Sequence, residues 1–129
     1  YIMYMESGMT REMLACCPIR NVLARVGDKW SLLVMLTLKA ERVMRFSELQ
    51  RTLCDISQKS LAQTLRTLEE DGFVSRKVYP EVPPRVEYAL TERAQSFLIP
   101  VELLVQWAKE HMHDILADRE RTTAHMTNS

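Results

Sequence analysis

Between residues 57 and 67 the chain sets out Ser57, Gln58, Lys59, Ser60, Gln63, Thr64, Arg66 and Thr67. Glutamine and arginine are the types that form paired hydrogen bonds with adenine and guanine edges, while lysine and serine commonly touch phosphate. Any solvated helix face is polar as well, so a bland surface reading stands beside the nucleic-acid one. Arg76, Lys77 and Arg85 add charge further on. Arg85 follows two prolines, a place from which it would reach a narrow minor groove or a flanking phosphate. The other reading is a turn arginine paired with Glu81 or Glu87.

A second chemistry belongs to Cys17, which precedes Pro18. Proline favours the first position of a helix, which would put Cys17 at the N-cap of a segment running to Val26. There the positive end of the helix dipole can lower a thiol pKa and make it reactive. The alternative is a small buried hydrophobe, the commoner fate of free cysteine. Cys16 is expected to pack rather than to bridge its neighbour. His111, His113 and His125 have no metal-ligand spacing with cysteine or carboxylate. No Gly-rich phosphate loop or nucleophile–base constellation appears, so neither an enzyme nor a cofactor or metal is expected.

These side chains need elements to hold them. Leu61, Leu65 and Leu68 recur at helical spacing, so a helix beginning at Gln58 turns them inward and the polar set outward, with Ser60 and Thr64 at its edge. Ser57 can cap that helix, and Gly72 stops it. Glu69, Glu70 and Asp71 would repel phosphate, so its N-terminal half should be the inserted end. Upstream, Ser47 and Gln50 match a capping box opening a short helix to about Leu53, and Cys54-Asp55-Ile56 turns the chain. Two helices across so short a turn make a helix-turn-helix. Downstream, Val74 to Tyr79 and Val86 to Leu90 read as strands joined by a loop with Pro80, Pro83 and Pro84, too long for a two-residue hairpin. The outline is a winged helix-turn-helix.

The remaining segments are helical. Ile19, Val22, Leu23 and Val26 form a buried stripe. Gly27 ends that helix and Asp28 caps the next, Lys29 to Lys39, which is apolar nearly all round and belongs at the domain's centre with Trp30 as a core anchor. Thr91-Glu92 caps a last helix whose broad apolar face runs through Phe97, Val101, Leu104, Val105, Ala108, Met112, Ile115 and Leu116. Pro100 should kink or divide it. Its surplus apolar surface suits a second subunit. Met5, Met9 and Met13 share one face of an N-terminal helix, packed on its own core or on a partner. The tail from Arg119 to Ser129 reads as frayed.

At 129 residues, 47% hydrophobic and 26% charged, the chain is one soluble globular domain. No apolar run reaches a membrane span, no leader is visible, and three cysteines cannot close a disulfide framework, so a cytoplasmic protein is expected. Seventeen Lys and Arg balance seventeen Asp and Glu. Ten basic and six acidic residues lie in Tyr1–Arg66, giving +4, and seven and eleven lie in Thr67–Ser129, giving −4. The basic half holds the reading helix, which permits a local DNA face.

Taken together, CPI at Cys17 to Ile19, GDKW at Gly27 to Trp30 and RFSEL at Arg45 to Leu49 resemble the HxlR family of winged-helix transcriptional regulators, relatives of MarR-type repressors. ISQKSLAQTLRTLEEDGFVSR at Ile56 to Arg76, YPEVPPRVEYALT at Tyr79 to Thr91 and LIPVELLVQW at Leu98 to Trp107 extend the resemblance in unbroken order from about Cys17 to Ile115. It implies a mainly α fold with a small antiparallel β-ribbon, residues 1–15 and the last helix dimerising, a winged-helix domain over 16–118 and a flexible tail over 119–129. It further implies a homodimer on two-fold double-stranded DNA, no membrane, and Cys17 as the thiol by which some members sense oxidants or electrophiles. An effector small molecule or an oxidant is the class of signal. Departures are Glu41-Arg42-Val43-Met44 where relatives often have a glycine, Cys54 in a turn usually containing Gly or Pro, Cys16 beside Cys17, and Ala94 for a common glycine. The competing function is a winged helix used for protein contacts without DNA affinity.

Overall fold

The computed structural model describes residues 10–11 and 18–128. The elements in chain order are α1 (Ile19–Val26), α2 (Ser31–Glu41), β1 (Val43–Met44), α3 (Phe46–Leu53), α4 (Gln58–Glu70), β2 (Val74–Tyr79), β3 (Arg85–Leu90) and α5 (Glu92–Asn128). The fold is mainly α with a small antiparallel sheet, a winged helix-turn-helix. The N-terminal Met-rich helix and the Cys16–Cys17 pair lie outside the described residues.

Helix α2 is the centre. Val34, Met35 and Leu38 are fully buried, and the helix touches α3, α4, α5, β1 and β3. Around it close Leu49 of α3, Leu61, Leu65 and Leu68 of α4, and Ala94 and Leu98 of α5. Trp30 is half-buried against this cluster, as its expected anchoring role requires. The helix begins two residues later than its apolar pattern suggested. The Asp28 carboxylate accepts from the backbone N–H groups of both Trp30 (3.2 Å) and Ser31 (3.1 Å), and this cap holds Trp30 just outside the helix.

Two other helix starts, and the burial of α1, also differ from expectation. Pro18, not Cys17, stands at the N-cap of α1, and its carbonyl accepts from Asn21 and Val22 at 3.0 and 3.1 Å. The stripe expected on α1 is buried only at its end: Val26 is enclosed, but Ile19 and Leu23 are 49% and 58% exposed. At α3 the capping box falls on Arg45 and Glu48 instead of Ser47 and Gln50. The Arg45 N–H donates to the Glu48 carboxylate at 2.9 Å, because the helix already starts at Phe46.

The sheet has the order β1-β3-β2, antiparallel throughout. Its third strand, Val43 pairing with Ala89 and Met44 with Tyr88, is too short to show a period and was not foreseen. Val74 pairs with Leu90 and Tyr79 with Arg85, so the ribbon projects Pro80–Pro84 as its tip.

Helix α5 differs most from expectation. It starts on Thr91, whose hydroxyl donates to the Gly72 carbonyl (2.6 Å) and accepts from the Ala94 N–H (3.3 Å). It then runs unbroken through Pro100 to Asn128, helical where a frayed tail was expected. No glycine or proline follows Pro100, so once started the helix propagates. No helix among the described residues is long and apolar enough to cross a membrane.

Candidate nucleic-acid interface

Helices α3 and α4 are joined by Cys54–Ser57. Ile56 is buried at 3% exposure and pins the turn, and the Gln50 amide reaches the Ile56 carbonyl at 3.5 Å. The Ser57 hydroxyl accepts from the Ser60 N–H at 3.0 Å, so the expected N-cap is present. Cys54, exposed, takes φ +54° and its thiol donates toward the Arg51 carbonyl at 3.3 Å.

With Leu61, Leu65 and Leu68 fixed inward, the opposite side of α4 is bare. Gln58, Lys59, Gln63 and Arg66 are exposed, and the Gln63 amide donates to Thr67 Oγ1 at 3.3 Å along the same face. Ser60 and Thr67 are half-buried at its edge. Thr64 is nearly buried, at 9% exposure, at the edge where it lines an open cleft with Lys59, Ser60 and Gln63. Exposed Ala62 lies between Lys59 and Arg66 on the outer strip. Helical spacing alone would have found it, but a methyl group carries no polar signal.

The ribbon supplies the rest. Arg76 and Lys77 are exposed on β2. Arg76 is brought to Arg66, since both line a shallow cleft with Phe46, Ala62, Glu69 and Tyr88. The Lys77 ammonium sits 4.8 Å over the Tyr79 ring. Arg85 has the paired arrangement, not the free one: its guanidinium stacks 4.0 Å over Tyr79, 3.3 Å from Glu81 and 3.8 Å from Glu87. Two carboxylates and a ring face surround this cation, although its buried Nε finds no hydrogen-bond partner. Near the far end of α4, the Asp71 carboxylate lies 3.8 Å from Arg25 while the Asp71 carbonyl accepts from Arg93 at 2.8 Å.

One titrating group beside α4 is shifted. Burial would raise the Asp28 carboxyl, but hydrogen bonds from the Ser31 hydroxyl and the Trp30 and Ser31 amides outweigh it and hold it below the usual carboxylate range. The proposed thiol sensor, Cys17, lies outside the described residues.

Comparison with known proteins agrees with this geometry. A family model described as HxlR-like helix-turn-helix matches residues 25–115. The chain is similar to the uncharacterized HTH-type transcriptional regulator YtfH of Escherichia coli K12, 41% identical over 84% of this chain and 85% of the relative. A solved structure of YtfH from Salmonella typhimurium superposes with a TM-score of 0.70 at 41% identity, covering 81% of this chain and 92% of that one. The redox regulator HypR in its reduced form superposes with a TM-score of 0.66 at 37% identity, covering 78% and 98%. A matched segment that runs from the end of α1 into α5, on a helix-turn-helix with its wing, places the chain in the HxlR-like helix-turn-helix family of transcriptional regulators.

Proposed function

We propose that the protein is a sequence-specific DNA-binding regulator acting as a homodimer on a two-fold operator. The observation that carries the reading is the outer face of α4, with Gln58, Lys59, Gln63 and Arg66 exposed and, among the described residues, no element laid across it. Gln58, Gln63 and Arg66 are the base-edge candidates. Lys59, Ser57, Ser60, Thr67, Arg76 and Lys77 are the backbone candidates. Thr64, nearly buried, and Arg85, held by Glu81 and Glu87, stand behind these as secondary candidates. The two copies would set α4 into successive major grooves about one helical turn apart.

Selection of duplexes from a random pool, followed by titration of Arg66→Ala, tests the reading. If Arg66 reads a guanine, the variant loses about 1–3 kcal/mol and its preference at one base pair. Equal loss on every sequence would make it a phosphate contact, and no duplex enriched by the wild type would end the proposal.

The likeness to a redox regulator supports a thiol response through Cys17. Operator affinity should fall or rise on treatment with a thiol oxidant in the wild type and stay constant in Cys17→Ser. Identical responses from both proteins would remove Cys17 as the sensor.

A further inference from the structure

Helix α4 has two flanks. On one side stands the ribbon with Arg76. On the other, Lys59, Ser60 and Gln63 face Arg25 and Trp30 across an open cleft formed with the turn between α1 and α2. No sequence motif pointed to this side, because Arg25 lies some thirty residues or more from the helix with which it lines the cleft.

The cleft is cationic. The Arg25 side chain is 66% exposed, and its ion pair with Asp71, at 3.8 Å, is loose and open to solvent. Lys29 stands on the turn that follows α1, between the cleft-lining residues Asp28 and Trp30, its ammonium 5.0 Å over the Trp30 ring. Among the described residues no acid forms an ion pair with Lys29 or Lys59. The acid lining the cleft is Asp28, and both its oxygens are engaged, one by the Trp30 and Ser31 amides and the other by the Ser31 hydroxyl. That cap also occupies the α2 N-terminus, so an anion here would be drawn by the side-chain cations.

A B-form major groove is about 12 Å wide, and a helix with its side chains is about 10–12 Å across, so a helix that fills the groove abuts both phosphate rows. With the ribbon on one side of α4, the other row falls against the α1–α2 turn. We infer that Arg25 and Lys29, acting with Lys59, grip backbone phosphates on the side of the major groove away from the ribbon. The inference rests on the DNA-binding reading above and adds to it a second, independent row of contacts. Such contacts fix how far α4 can rotate or slide in the groove without reading sequence themselves.

The test uses the full chain and a duplex selected by the wild type. Arg25→Ala and Lys29→Ala should each weaken binding several-fold and lower the slope of log affinity against log salt by about 1. Arg25→Lys should restore the slope. Arg121→Ala, near the far end of α5, should leave it unchanged. Arg25, at the end of α1, and Lys29, on the turn after it, are both exposed, so unfolding midpoints should match the wild type. In ethylation interference, the phosphates that lose their effect in Arg25→Ala should lie across the groove from those lost in Arg76→Ala. A double variant of Arg25 and Lys29 that keeps the wild-type slope overturns the inference while leaving the DNA reading intact. So does an interference pattern that coincides with that of Arg76→Ala. A wild type with no salt-dependent attraction for any duplex defeats both.

Discussion

Arg42 and Cys54 hold φ values of +72° and +54°, in the region where a Cβ is crowded and glycine is at ease. They fall in the two segments where resemblance to the HxlR family leads to an expectation of glycine, or of glycine or proline. Arg42→Gly should raise stability by about 1 kcal/mol, relief of strain outweighing the added freedom of the unfolded chain. Urea unfolding measures it; a lower midpoint in the variant would mean that Arg42 makes contacts worth more than its strain. Arg85 teaches the same lesson about partners. Its type and its place after two prolines advertise a free cation, but Tyr79, Glu81 and Glu87 surround it once the ribbon forms.

At the level of elements, apolar periodicity located every helix among the described residues, and caps set where each begins. Two helix starts were set by a carboxylate reaching a backbone amide: Asp28, the expected cap, reaches Trp30 and Ser31, and Glu48 reaches Arg45 in place of the expected Ser47 and Gln50. Several polar residues near a helix start can serve, and only the final backbone path chooses among them. Asp28→Ala should cost about 1 kcal/mol at neutral pH as the α2 cap is lost. The folded-state pKa of Asp28 is depressed, so its stabilisation is present above the ordinary carboxylate pKa and is lost as pH falls through the lowered value. The gap between variant and wild type in urea midpoints should thus be widest near pH 7 and close in acid. A gap independent of pH would show that the charge of Asp28 does not matter to its cap.

Over the whole molecule, apolar surface is left unburied on α1 and along α5. Leu103 and Leu104 are 71% and 57% exposed, Trp107 and Leu116 about half, and Ile19 and Leu23 similarly. Apolar surface on this scale, beyond an already enclosed core, is what a partner covers. Leu104→Glu with Ile115→Glu should convert the proposed dimer to a monomer in sedimentation, and DNA affinity should fall with it. The folded protomer should survive, since neither side chain reaches the core. A wild type that sediments as a monomer at all concentrations would refute the dimer.

Local sequence by itself determined the helix-turn-helix pair, the two long strands and the outward side of α4. Leucines at helical spacing can turn only one way against a core, and that single choice exposes Gln58, Lys59, Gln63 and Arg66. What tertiary structure decided was everything that depends on segments far apart in the chain. The pairing of Val43–Met44 with β3, the near-burial of Thr64 and the placing of Arg25 beside Lys59 are of this kind. So is the ring-and-carboxylate cage around Arg85, closed only when β2 and β3 come into register. Periodicity encodes which way a side chain faces; it holds no record of which distant neighbour will be waiting there.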